Sequence, residues 1–150
     1  MAHRHCAWAY RPAGVTAAQM NMPFALAMMA VDRAAMGEQF REDRLADPKV
    51  LPMLARIAVE PAEEYSRGGD ETRHAARIMI ATKSGKVLRR ETWNRPGSPD
   101  NPMSEAQLQE KFVALARPVL SDAQIERLGA AIGALDTLPA STLQPLLTPQ

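Results

Sequence analysis

Few residues in this chain are of types that move protons, hold metals or attack electrophiles. His3-Arg-His5-Cys6 is the one cluster of metal-type ligands. Zinc sites use four ligands, usually from two separated pairs. The third histidine, His74, stands alone at a loop-to-strand junction, and there is no second cysteine. No metal site is therefore expected. Cys6 as a nucleophile needs a lowered pKa and an adjacent base. His5 is next to it, but neighbours along a strand face opposite sides, so Cys6 reads as a small buried hydrophobe. Glu60, Glu63 and Glu64 read as a solvated loop entrance rather than an acid–base pair. No Gly-x-Gly-x-x-Gly, Gly-x-x-x-x-Gly-Lys or Gly-x-Ser-x-Gly pattern occurs, which leaves neither a phosphate cradle nor a nucleophile elbow.

Two amides are better placed. Gln19 and Asn21 sit on an otherwise oily segment, and amides need partners if buried. Bonding to backbone satisfies them in one reading. In the other, Asn21 lies near a helix N-terminus and faces a pocket, where free N–H groups and the positive dipole end suit a carboxylate. Arg89, Arg90 and Arg95 form a modest basic stretch with Trp93, interrupted by Glu91 and Asp100. Alternating charge on the open face of a hairpin explains it better than single-stranded nucleic acid does.

Helices must position these groups. Thr16-Ala-Ala-Gln19, Ser104-Glu-Ala-Gln107 and Ser121-Asp-Ala-Gln124 read as capping boxes before apolar periodic runs. The first helix is expected from about Ala17 to Met36, apolar nearly all round and hence buried. A kink is expected at Pro23 and an end at Gly37. Asp47-Pro48 opens a second helix. Arg56–Glu60 alternates like a strand, as does a short stretch at Cys6–Tyr10. Pro61 to Thr72 reads as a loop. Residues 75–83 and 87–93 flank Ser84-Gly85 as a hairpin. Amphipathic helices follow at about Glu105–Leu120 and Asp122–Leu135, with Leu108, Phe112 and Leu115 on one face of the first. Ile125, Leu128, Ile132 and Leu135 line the second.

The 150 residues make one domain. Hydrophobic residues are 46% and charged residues 23%, which excludes disordered and collagen-like chains. Eighteen Lys and Arg against seventeen Asp and Glu leave +1, so nothing draws the chain to nucleic acid or acidic lipid. A single cysteine excludes an internal disulfide framework and fits a reducing, cytoplasmic setting. The longest apolar stretch, Met22 to Val31, is about half the roughly 20 residues a bilayer span needs. Neither a membrane segment nor a signal peptide is expected. The fold class expected is α+β, a small, mainly antiparallel sheet packed against helices.

Four stretches together resemble the C-terminal domain of the MmgE/PrpD family. These are Ala18-Gln-Met-Asn-Met-Pro-Phe24-Ala-Leu-Ala, Phe40-x-x-x-x-Leu45-Ala-Asp-Pro48-x-Val50, Ile78-x-Ile80-x-Thr82-x-Ser84-Gly85-Lys86 and Gly97-Ser-Pro-Asp-Asn101-Pro102-Met-Ser104 running on to Leu108 and Lys111-Phe112. The resemblance implies a lid-type domain covering a site whose acid–base residues lie in a separate helical domain. It implies small di- or tricarboxylate substrates and proton abstraction beside a carboxylate, then elimination, decarboxylation or epimerisation, with no metal or cofactor. The helical domain and the start of the lid have no counterpart in this chain. Phe24 stands where many relatives carry Tyr and has no hydroxyl to donate; Asn21 stands where Ser is common. The expectation is a domain that is inactive alone. Gln19, Asn21 and Phe24 face the pocket, and Arg95 partners a carboxylate through a bidentate contact. Its partner is a helical-domain polypeptide or a missing N-terminal segment, because a lid without its body exposes apolar surface. The alternative is a non-catalytic module that self-associates through that surface.

Overall fold

The computed structural model describes residues 5–69, 72 and 74–148; His3 lies outside the described residues. Two compact units divide the chain, Met1–Met103 and Ser104–Gln150.

The first unit is built on α1 (Val15–Gln19) and α2 (Met22–Asp32). The single kinked helix expected here is instead two helices. Asn21 adopts extended angles and its side chain accepts from the Phe24 N–H at 2.9 Å, which starts a new helix at Met22. Pro23 then falls in the first turn, where its missing N–H loses nothing. Thr16 does not cap α1; Gly14 holds that position without a side-chain bond. Arg33, left-handed at φ 60, closes α2 before Gly37 is reached.

Phe24, Ala27 and Met28 are fully buried on α2 and pack with Ala18, Phe40, Leu45 and Val50. The Phe24 ring stacks on Tyr10 at 4.2 Å and meets Phe40 at 6.0 Å; burying such a ring contributes about 1.5–3 kcal/mol. Two 3₁₀ turns, Gly37–Phe40 and Glu42–Arg44, and α3 (Leu51–Leu54) follow. Arg44 joins this stretch to α2, reaching Asp32 and Asp47 at 2.9 Å each. Asp47 accepts from the Lys49 N–H at 2.7 Å, but the helix itself begins at Leu51, later than expected.

Neither Cys6–Tyr10 nor Arg56–Glu60 is a strand: Cys6 is helical, and residues 57–60 have no regular structure. The stretch read as loop contains a short helix, α4 (Glu63–Ser66). The hairpin forms as expected, from β1 (Ala76–Ala81) and β2 (Val87–Thr92), paired antiparallel. Its loop is one residue longer than Ser84-Gly85. The Gly85 N–H donates to the Thr82 carbonyl at 3.0 Å, and Gly85 takes φ 81. This is a type I turn closed by a left-handed glycine. The protein is thus α+β, with a two-stranded sheet among the described residues. No strand residue joins the buried core; every β1 residue is exposed, as is every β2 residue except Glu91.

The second unit carries α5 (Glu105–Ala116) and α6 (Asp122–Gly133), each started by its expected capping box, Ser104 with Gln107 and Ser121 with Gln124. Both helices stop short of the expected ends. Leu120, Ile125 and Leu128 are buried against Phe112, Val113, Leu143 and Leu146. Leu108, Leu115, Ile132 and Leu135, expected on inner faces, are exposed.

Candidate functional site

The amides and rings singled out in the sequence gather around the start of α2, but not as one open pocket. Asn21 is fully buried. Its Oδ1 accepts from the Phe24 N–H at 2.9 Å, and its Nδ2 donates to the Trp8 carbonyl at 2.8 Å. Both ends of the amide are thus engaged by protein, and the N-terminal segment is pinned across the helix start. The Ala25 N–H bonds the Asn21 carbonyl, Pro23 has no N–H, and the Phe24 N–H is capped. That leaves the Met22 N–H as the donor of the first turn open to an anion, a weaker site than the dipole argument supposed.

Phe24 is buried between Tyr10 and Phe40 and faces core rather than solvent. Gln19 ends α1 and is exposed. Arg95 sits in the turn-rich segment after β2, which is held by bonds of its own. The Gly97 N–H donates to the Asn101 carbonyl at 2.8 Å and Asn101 Nδ2 to the Asn94 carbonyl at 3.0 Å. Gly97 supplies the positive φ, 85, that this turn requires. Within the loop Ser98 Oγ is buried with no hydrogen-bond partner among the described residues. Arg95 Nη1 lies 3.2 Å from His74 Nε2. The structure therefore brings Asn21 and Phe24 together, places Gln19 just before them, and sets Arg95 on a different loop.

Sequence reasoning missed the hollow over this helix start. An opening of about 420 Å³ is lined by Trp8, Tyr10, Pro23, Leu54, Ile57 and Val59. Tyr10 anchors it: its hydroxyl donates to the Leu45 carbonyl at 2.9 Å, and burial raises its pKa. The side chains that line it are aliphatic or aromatic, and polar atoms are exposed among them, the usual make-up of a small-molecule site. The Trp8 and Tyr10 rings were visible as types, but their convergence with Ile57 and Val59 depends on tertiary packing.

A second polar cluster was also missed. The Tyr65 hydroxyl donates to Glu91, and Arg77 reaches Glu64 at 2.9 Å and Glu91 at 3.2 Å. Accepting from Tyr65 holds the Glu91 carboxyl below the usual range, burial opposing and Arg77 adding. Tyr65 is pushed up, first by desolvation and then by its bond to Glu91. Every charge in the cluster faces an opposite one, so it braces α4 against the hairpin. Among the described residues no three or more His, Cys, Asp and Glu side chains converge as a metal set. No helix there is long and apolar enough to cross a membrane.

Comparison with known proteins is consistent with the motifs. Residues 1–136 match the model of the MmgE/PrpD C-terminal domain, a span that crosses the division between the two units. Two cis-aconitate decarboxylases from Aspergillus terreus are 28% and 27% identical to this chain over 147 residues. The alignments cover 95% of this chain and 29% of each relative.

Proposed function

This chain belongs to the MmgE/PrpD family, matching its C-terminal domain, and from that premise we propose that it is the smaller half of a lyase or isomerase site for small di- or tricarboxylates. The carrying observation is the similarity to cis-aconitate decarboxylases across 95% of the chain. The chain spans 29% of those relatives, and the acid and base of the reaction are assigned to a helical domain outside these 150 residues, on another polypeptide or on a segment of the same one. Two features support this division. The titratable groups of the Glu91 cluster are tied to one another, which suits bracing rather than proton transfer. The hollow beside Pro23 is walled by aliphatic and aromatic side chains, which suits covering a substrate's carbon skeleton.

In this reading Arg95 and Gln19, both exposed, make the polar contacts with a carboxylate. Asn21 and Phe24 shape the floor from beneath. Arg95 can hold a carboxylate bidentately once it turns from His74. The other reading, a stand-alone binding module, draws support from the uncovered hairpin.

Titration of the chain with citrate, followed by amide and side-chain NMR, tests the proposal. Weak, saturable shifts are expected at Gln19 and Arg95, with Arg95→Gln weakening binding about tenfold, the loss of one charged hydrogen-bonded contact. No shift at either residue up to saturating citrate rejects the carboxylate contact. Turnover of cis-aconitate by the purified chain alone rejects the division of labour.

A further inference from the structure

The two capping boxes of the second unit are built alike and end differently. In the box of α5 the Ser104 N–H donates to Gln107 Oε1 at 2.9 Å, and Gln107 is exposed. In the box of α6 the Ser121 N–H and hydroxyl donate to Gln124 Oε1 at 3.1 and 2.9 Å. Gln124, however, is only 4% exposed. Its Nε2 donates to the Thr148 carbonyl at 3.1 Å, far along the chain. Donors on one side and a carbonyl on the other fix which end of the amide is oxygen and which nitrogen. One amide therefore holds both the start of α6 and the segment that follows its end.

That segment is closed mostly on itself. Pro139 cannot continue the preceding helix, and two 3₁₀ turns follow it, Ala140–Thr142 and Gln144–Leu146. The backbone bonds are local. The Thr142 N–H reaches the Pro139 carbonyl, and the Leu146 and Leu147 N–H groups reach the Leu143 carbonyl. Among the described residues, the bond from Gln124 to Thr148 is the one hydrogen bond tying residues 139–148 to the helices. The remaining ties are apolar: Leu143 and Leu146 pack on the buried Leu120, Ile125 and Leu128.

We propose that residues 139–148 are a strap that docks on the α5–α6 pair and lifts from it as one piece, with Gln124 as the latch. Turns that close internally keep the strap in shape when it moves. An attachment of two half-buried leucines and one amide belongs to the low-stability end of a fold. The capping box of α6 survives lifting, because Oε1 and Nε2 of Gln124 serve different partners. The lifted state has the form that Gln107 already shows, a complete box with its amide nitrogen exposed. Lifting takes Leu143 and Leu146 off Leu120, Ile125 and Leu128, so the strap gates the apolar seam of the pair.

The chemistry of the latch is specific. A carbonyl must be met by a donor, which glutamine has. Glutamate serves equally in a capping box but, ionised, only accepts. A carboxylate at position 124 therefore keeps the cap and loses the strap, and one substitution separates the two roles of the side chain. Its negative charge also suits the first turn of α6, so the helix is not weakened by the change. The inference stands apart from the proposed substrate site, and either can fail without the other.

Amide hydrogen exchange of the full chain, read by NMR, tests it. In Gln124→Glu the Leu143, Leu146 and Leu147 amides should exchange at least about tenfold faster and by a common factor, the effect of one lost hydrogen bond on an opening equilibrium. The Ile125 and Leu128 amides of α6 should stay within about threefold, since the cap is kept. Gln107→Glu makes the same change in the exposed box and should leave the strap amides within about twofold. Leu146→Ser removes a strap contact without touching the box. It should free the Leu143 and Leu147 amides, and it serves if Gln124→Glu does not fold. Strap amides unmoved in Gln124→Glu, or in Leu146→Ser, overturn the proposal. So does equal acceleration of the Ile125 and Leu128 amides in Gln124→Glu, which would make the segment one block with α6. Strap amides that move as far in Gln107→Glu have the same force.

Discussion

Asn21 is the residue at which a structural and a ligand-binding role can be told apart by energy. Its side chain makes two bonds, one to the Phe24 N–H at 2.9 Å and one to the Trp8 carbonyl at 2.8 Å, from a fully buried position. Asn21→Ala removes both. Losing the cap costs about 1 kcal/mol, within a range of 0.5–2. Losing the donor to the Trp8 carbonyl costs about 1–2 kcal/mol, since that oxygen is left poorly paired. The expected total is about 2–3 kcal/mol. Asn21→Ser retains an oxygen for the cap but cannot reach Trp8, so it should lose about 1–2 kcal/mol. Urea unfolding of both variants, monitored by the fluorescence of Trp8 beside the bond, measures the difference. If Ser is as costly as Ala, the cap is not contributing as drawn. If Ala costs under about 0.5 kcal/mol, below the range for any cap loss, the two-bond account is wrong. A Ser variant of near-native stability that no longer binds citrate would make Asn21 a ligand contact.

Three further perturbations follow from named contacts. Tyr10→Phe keeps the stack on Phe24 but deletes the bond to the Leu45 carbonyl; a loss of about 1 kcal/mol is expected in the same urea assay. Burial raises the Tyr10 pKa, so the neutral form is favoured by folding. That stability is fully present below the ordinary phenol value of about 10 and is lost as pH rises through the folded value; the wild type should weaken there more than Tyr10→Phe. Glu91 is held low, first by the Tyr65 hydroxyl, so its contribution is present above the ordinary carboxylate value of about 4.3 and is lost as pH falls through the folded one. An NMR titration of the Glu91 carboxyl should move to higher pH in Tyr65→Phe; an unmoved midpoint refutes the cause. Arg33 is left-handed at φ 60, and Arg33→Gly should stabilise by about 0.5–1 kcal/mol. A measured loss would show that the Arg33 side chain matters more than its backbone.

What the sequence revealed was local. Ser104 with Gln107 and Ser121 with Gln124 cap helices as their spacing says, because each box is complete within four residues. The hairpin was legible for the same reason, with Gly85 supplying the left-handed turn. Errors arose where two local signals overlapped or where a partner was needed. The Thr16-Ala-Ala-Gln19 box read from the sequence lies a few residues before Asn21, which is the residue that caps α2. Asn21 prevails with Pro23 behind it and the Trp8 carbonyl thirteen residues away in front, a contact no window contains. Arg56–Glu60 alternates in polarity, yet a strand requires a neighbour, and among the described residues none pairs with it. The apolar hollow was hidden because its walls come from residues 7–10, 23 and 54–59. The resemblance in four short motifs named the family, which composition could not.

The distribution of burial carries one more consequence. The first unit's core runs from Ala18 to Val50, with Tyr10 and Ile57 among the residues packed on it, and takes nothing from β1 or β2. The hairpin is held by its own ladder and by the Tyr65–Glu91–Arg77 cluster, in which both Arg77 and Glu91 side chains remain 28% exposed. Exposed polar bracing of this kind is worth little beside a buried apolar face. The hairpin should therefore open without unfolding α2. The Ile78 and Ile80 amides should exchange at least about a hundredfold faster than that of Met28, which sits in the core. Glu91→Gln should widen the gap by loosening the brace while leaving Met28 unchanged. Equal exchange at Ile80 and Met28 would mean that strand and helix form one cooperative block.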